Sequence, residues 1–247
     1  MMTDWLKADW PAPPGVVAGT TLRSGGVSEG PFASLNLAAH VGDQSGHVAA
    51  NRRRFLKECA LPAEPTWLSQ VHGSTVCVDT KPANPPLEAD AMLCREKGAV
   101  AAVLTADCLP VLFASTADDE VAAAHAGWRG LAAGVLENTV LAMQSPAERI
   151  IAWLGPAISQ LAFEVGSEVR EQFCDLEPAA AAHFLRNDRG RWQADLYGLA
   201  RQRLAAAGVL RIYGGGLCTY ADSARFFSYR RDGECGRMCS FVFRNAA

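Results

Sequence analysis

No stretch of this 247-residue chain is apolar enough to cross a bilayer. Its longest apolar run, Ala99 to Ala106, is stopped by Asp107, far short of the ~18 apolar residues a spanning helix needs. An apolar leader is also lacking. Met1 to Asp9 mixes charged and aromatic residues, so no signal peptide is read and a cytoplasmic protein is expected. Basic excess is missing too: 23 Lys and Arg face 26 Asp and Glu, a formal charge of −3. That balance argues against a nucleic-acid binder. Repeats, low-complexity runs and long linkers are absent, so a single domain over residues 1–247 is expected. The remaining composition, 49% hydrophobic and 20% charged, is that of an ordinary globular chain and excludes collagen-like, coiled-coil and disordered readings. Histidine is scarce, with five residues, whereas cysteine is not, with eight.

In a reducing compartment those thiols stay free, so a disulfide framework is not expected. Cys235 and Cys239 are closely spaced but lack a second pair at zinc-ribbon spacing, which sets a structural zinc knuckle aside.

Strand-like runs are Val16–Leu22, Val71–Val78, Ala99–Thr105, Pro110–Ala114, Val121–His125, Ile150–Leu154, Phe226–Arg230 and Cys239–Phe243. Helical patterns cover Gln44–Ala60, Leu131–Met143, Ser167–Phe173 and Leu196–Ala207, the last with Asp195 as its N-cap and Gly208 as its stop. Strands occur both in series and between helices. The expected class is therefore α+β, a layered sandwich of mixed sheets flanked by helices.

Three segments carry residues that a bland core does not require: Trp67–Gly73, Leu104–Pro110 and Ala124–Gly130. His72, Cys108 and His125 each end an apolar run beside Gly or Pro, where side chains from several strands can converge. Two imidazoles and a thiolate suit Zn²⁺ and leave a fourth position open for water. The same residues also suit a metal-free chemistry, with Cys108 as a nucleophile activated by His125. Asp107 is a candidate general base, or an orienting partner for a ligand histidine. Around the glycine turns, Arg129, Arg230 and Arg23 are candidates to hold a small anion or phosphate. His40, His47 and His183 are read as structural or exposed.

Taken together, these segments resemble the YfiH family, also described as laccase-domain or multicopper polyphenol oxidoreductase-type proteins. The resemblance runs over nearly the whole chain. It is carried by Thr21–Ser28, Ser34-Leu35-Asn36-Leu37, Asn51–Arg54, Gln70-Val71-His72-Gly73, Ala89-Asp90-Ala91, Thr105–Val111, His125–Gly130, Leu154–Ile158, Phe163–Gly166, Cys218-Thr219 and Phe226–Asp232. It implies that His72, Cys108 and His125 are the metal ligands, with zinc as the metal and copper possible at the same site. It implies that Asn36 joins Arg23, Arg129 and Arg230 in binding substrate or phosphate. It also implies a fold like the catalytic domain of the cytotoxic necrotizing factor toxins, which carries a Cys–His dyad.

Three activities are associated with the family: copper-dependent polyphenol oxidation, purine nucleoside phosphorolysis with adenosine deamination, and an amidase acting on a peptidoglycan precursor. Five histidines cannot furnish several copper centres, so the oxidase reading ranks low. The leading expectation is a zinc-dependent enzyme that phosphorolyses adenosine, inosine, guanosine or methylthioadenosine and deaminates adenosine. No His-x-Glu motif is present to shuttle protons as in zinc deaminases, which leaves Asp107 as the candidate. The expected partners are a purine nucleoside and phosphate, without nucleic acid or membrane, and the chain is expected to act as a monomer.

Overall fold

The computed structural model describes residues 5–81, 83–117 and 119–245; Met1–Asp4, at the start of the leader reading, lie outside them. Apolar strands are sorted into two stacked sheets by which of their faces is buried against which. The strand Val100–Thr105 is buried along its whole length. Ala101 and Val103 point to one core cluster, while Val100, Ala102 and Leu104 point to another. Leu109–Ser115 behaves the same way, with Leu112 and Ala114 on one side and Val111 and Phe113 on the other. Such continuous apolar runs are what a strand covered on both faces requires.

The first sheet is antiparallel, in the order Trp5–Lys7, Val16–Thr21, Met238–Arg244, Val100–Thr105. The second is six-stranded and mixed: Arg211–Gly214, Ile150–Leu154, Leu109–Ser115, Val121–Ala126, Ala91–Cys94, Val76–Val78. Its two edge strands pair in parallel and the inner pairs are antiparallel. Between the sheets lie Ala18, Val242, Met92, Ile151 and Trp153. The outer face of the first sheet is covered by the helix Ser45–Glu58 through Phe55, which meets Phe241 edge-on at 5.2 Å. The outer face of the second is covered by helices Trp128–Ala132, Val135–Ala142, Ser167–Cys174 and Leu196–Ala206. A short three-stranded sheet, Phe184–Arg186, Trp192–Ala194 and Glu164–Val165, flanks this side. The result is one α+β domain of four layers, helix, sheet, sheet and helix.

Some expectations change. The expected helix Leu131–Met143 is two helices, Trp128–Ala132 and Val135–Ala142, broken where Gly134 adopts φ +89°. Phe226–Arg230 is no strand. Phe226 and Phe227 are both fully buried in a loop against Met238 and Cys235, and Tyr229–Asp232 forms a short helix. Consecutive apolar residues buried together do not alternate between two faces, as a strand would require. Only Val76–Val78 of the expected strand Val71–Val78 is extended and paired. Asp195 precedes its helix without a side-chain capping bond, whereas Gly208, at φ +88°, follows the helix end as expected. All eight cysteines are free, and no described helix is long and apolar enough to cross a membrane.

Candidate metal centre and adjoining cavity

The three singled-out segments meet at one end of the sandwich. His125 is the penultimate residue of Val121–Ala126 and pairs in register with Pro110. Cys108 ends the tight turn that carries the chain from the first sheet, at Thr105, into the second, at Leu109. That turn requires a positive φ, and Asp107 supplies it at +86°. His72 sits in the loop before Val76–Val78, also with positive φ, +61°. Two non-glycine residues in this sparsely populated region flank the same centre, a form of local strain that tertiary contacts must hold.

The ligand atoms of His72, Cys108 and His125 lie within 4.8 Å of one another. Cys108 Sγ is 3.9 Å from His72 Nε2, and the two imidazoles meet edge to face at 4.8 Å. Gly127 leaves the space for them. A Cβ there would stand 2.9 Å from Cys108 Sγ and 3.1 Å from His72 Cδ2. One soft sulfur and two nitrogens at this separation fit a tetrahedral Zn²⁺, with ~2.3 Å to sulfur and ~2.0–2.1 Å to nitrogen.

Asp90, fully buried, organises the set. His125 Nδ1 donates to its carboxylate at 2.8 Å, which turns Nε2 towards the sulfur. The backbone N–H groups of Val71, His72 and Gly73 donate to the same carboxylate at 3.2, 2.9 and 2.7 Å, fixing the His72 loop. Burial opposes the ionised form of Asp90, but these hydrogen bonds, His125 first, hold its pKa below the ordinary value. Burial likewise opposes the Cys108 thiolate. The charge and hydrogen bond of His125, with those of His72, outweigh it and bring the thiol to about 6. For His125, burial is outweighed by the Cys108 charge and by Asp90, which raise the imidazole to about 9. Without metal the pair is a thiolate beside an imidazolium.

Asp107 does not take the orienting place expected of it, because Asp90 occupies it. The Asp107 carboxylate points the other way. It accepts from Thr219 Oγ1 at 2.5 Å, Ser228 Oγ at 3.0 Å and the backbone N–H of Arg230 at 2.7 Å. Its own carbonyl accepts from the N–H of Ile158. Asp107 thus ties the Cys108 turn to the walls of a cavity of about 520 Å³, which Ser159, Cys218 and Arg230 help to line.

The four expected substrate contacts divide. Asn36 is fully buried, and its amide is used by Ala38, Asp43 and Arg237. It braces a loop. Arg23 is committed to the carbonyls of Ala33 and Ser223 and lies over the Phe227 ring. Arg129 is exposed, stacked on Trp128 at 4.5 Å, two residues after Gly127. Arg230 is exposed on the cavity wall and spends one N–H on the Glu164 carbonyl. Asp90 received no role from the residue pattern. Its sequence signals are a lone carboxylate between alanines at the mouth of an apolar run and its place in the segment Ala89-Asp90-Ala91 that carries the resemblance.

A family model described as multi-copper polyphenol oxidoreductase laccase matches residues 17–245. The chain is 52% identical over 242 residues to the purine nucleoside phosphorylase YfiH of Escherichia coli, covering 98% of this chain and 99% of that one. It is 51% identical to a purine nucleoside phosphorylase of Pseudomonas aeruginosa, with the same shares covered. The crystal structure of a Neisseria meningitidis protein superposes with a TM-score of 0.94 at 47% identity, over 98% of this chain and 99% of that one. That of YlmD from Geobacillus stearothermophilus gives 0.92 at 33% identity, over 99% of each. Despite the multi-copper description, the described residues hold a single His/Cys/Asp/Glu group of ligating geometry. With its fold matched end to end and relatives sharing half of its residues, this chain belongs to the YfiH family of laccase-domain purine nucleoside phosphorylases.

Proposed function

We propose that this protein is a zinc-dependent purine nucleoside enzyme that phosphorolyses purine nucleosides and deaminates adenosine. The observation that carries the reading is the convergence of His72, Cys108 and His125 at a turn which Asp107 fastens to an arginine-bearing cavity. His72, Cys108 and His125 would hold the ion, which when bound supplies Lewis acidity and lowers the pKa of water towards ~7.

Asp90 keeps the proton of His125 on Nδ1 and so keeps Nε2 free to ligate. Arg129 and Arg230 are the arginines whose guanidinium groups stay available for phosphate. In phosphorolysis the bond from the ribose C1′ to the base nitrogen breaks and a bond from C1′ to a phosphate oxygen forms. The base leaves with the electron pair and takes up a proton. In deamination, water adds at C6 of adenine and ammonia departs. Asp107, holding three donors, serves the site by positioning Cys108 and Arg230. Among the described residues the copper-oxidase reading receives no second centre to work with.

A second reading rests on the thiolate–imidazolium pair of Cys108 and His125: an amidase in which the Cys108 thiolate adds to the carbonyl carbon of a peptidoglycan-precursor amide, the C–N bond breaks as the amine leaves with a proton from His125, and water hydrolyses the thioester to the acid. The expected likeness to the toxins' catalytic dyad belongs with this reading. The deciding experiment is metal analysis with a phosphate-dependent nucleoside screen on wild type and Cys108→Ala. Zinc and nucleoside turnover are expected to be lost together. Unchanged zinc stoichiometry in the variant would remove the ligand assignment. Turnover of a muramyl-peptide precursor far above that of adenosine would favour the amidase.

A further inference from the structure

A centre made by His72, Cys108 and His125 has three separations to keep, and sheet register and Asp90 keep two of them. His125 is fixed relative to Cys108 by register, since Leu109, the residue after Cys108, pairs with Ala126 and Pro110 pairs with His125. His72 is fixed relative to His125 by Asp90, whose carboxylate accepts from His125 Nδ1 and from the backbone of the His72 loop. Neither device relates His72 to Cys108. That separation runs through Gln70, two residues before His72. Its carboxamide meets the backbone of Leu104, four residues before Cys108, twice. Nε2 donates to the Leu104 carbonyl at 2.8 Å, and Oε1 accepts from the Leu104 N–H at 2.7 Å. Val100–Thr105 is an edge strand of the first sheet, with Met238–Arg244 as its one strand partner among the described residues. A residue in an antiparallel ladder points its N–H and C=O to the same side, and a carboxamide presents one donor and one acceptor side by side. Gln70 therefore supplies one rung of ladder on that open edge. Behind it, Ser69 is held by backbone bonds to Leu87 and Ala89.

We propose that Gln70 is a positioning residue of the metal centre, which sets the distance between His72 and Cys108. The inference rests on the ligand reading above and adds to it the residue that closes the triangle. With ~2.3 Å to sulfur and ~2.0–2.1 Å to nitrogen, a tetrahedral Zn²⁺ asks for about 3.6 Å between the two ligand atoms. Cys108 Sγ and His72 Nε2 stand 3.9 Å apart, a few tenths of an ångström from that value. A slip of one residue along a strand is about 3.3 Å. Spacing of this accuracy needs a tie that does not slide, and two bonds from one planar amide to one residue resist both sliding and rotation. His72 requires such a tie because it sits exposed in a loop at φ +61°, outside any strand ladder.

The test measures Zn²⁺ affinity by competition with a chelator, and the thiolate-to-metal absorption of Co²⁺-loaded protein. It compares wild type, Gln70→Met, Gln70→Glu, His72→Ala and the double variant carrying His72→Ala and Gln70→Met, each shown to be folded by thermal melting without metal. Methionine keeps the length of the side chain and removes both bonds. Glutamate keeps the acceptor but sets a carboxylate oxygen against the Leu104 carbonyl. Each Gln70 variant should weaken Zn²⁺ binding by about tenfold or more and alter the Co²⁺ absorption. With His72→Ala already in place no separation remains to be set, so Gln70→Met should change the affinity there by less than about twofold. An equal loss in both backgrounds is a general loosening of the fold and overturns the assignment. Unaltered affinity and absorption in both Gln70 variants, when His72→Ala loses the metal, overturn it as well. Zn²⁺ binding that is indifferent to His72→Ala overturns the ligand reading itself, and the assignment with it.

Discussion

Asp90 joins three elements at once: the His72 loop by three backbone donors, the strand Val121–Ala126 by His125, and the strand Ala91–Cys94 that it precedes. Removing its carboxylate leaves the buried His125 Nδ1 without its acceptor and frees the backbone donors of the His72 loop. Asp90→Ala is expected to cost about 3 kcal/mol in denaturant unfolding, and Asp90→Asn to weaken zinc binding by about 10- to 100-fold, as read by competition with a chelator. The thiol–imidazole pair predicts a pH profile for metal-free protein. The Cys108 thiolate forms above about 6 instead of near the ordinary 9.0, so its alkylation by iodoacetamide should rise through an inflection near 6. The stability linkages of the pair oppose each other. The depressed Cys108 value favours the fold increasingly as pH rises from 6 to 9. The raised His125 value favours it below 6.5, and that contribution fades up to about 9. Metal-free stability should therefore be nearly flat across that range, with alkylation as the informative readout.

At the scale of elements, the turn 106–108 and the strand-to-helix junction at Gly127 decide the site. Gly127 has an ordinary φ of −60°, so alanine there suffers no backbone penalty and acts only through its Cβ, 2.9 Å from the sulfur. Gly127→Ala is expected to lower zinc content markedly while moving the melting temperature by only a few degrees, which metal analysis beside a thermal melt would separate. The elements differ in how visible they are along the chain. Val100–Thr105, Leu109–Ser115, Val121–Ala126 and Ile150–Leu154 are runs of apolar residues bounded by polar or glycine turns. Their burial on both faces writes itself directly into composition. Ala91–Cys94 and Arg211–Gly214 are only four residues each. Such short strands exist because neighbours in the sheet complete their hydrogen bonds, and no local pattern announces them.

Across the whole molecule, stability and site geometry are separable. The outer layer formed by Ser45–Glu58 is anchored by Phe55, Phe241 and Phe243, all essentially inaccessible to solvent. Phe241→Ala is expected to cost about 3–5 kcal/mol by denaturant unfolding while leaving zinc stoichiometry of the folded fraction unchanged, since that core lies on the outer face of the first sheet. The site lies at the end of the sandwich where the turn between the two sheets, the His72 loop and the Phe226–Asp232 segment converge.

The sequence by itself determined the residue chemistry. Two histidines and one cysteine beside glycine and proline turns, in a chain with few other histidines, pointed to one metal or thiol centre, and the apolar runs pointed to a layered α+β domain. Tertiary structure alone decided the partners. Residues 72, 90, 108 and 125 are brought together by sheet pairing, and local periodicity carries no information about which distant carboxylate will face which imidazole. Hence Asp90, not Asp107, holds His125. Asn36 is buried where its amide satisfies loop backbone groups, Arg23 is tied to the carbonyls of Ala33 and Ser223, and the side chains of Arg129 and Arg230 stay exposed.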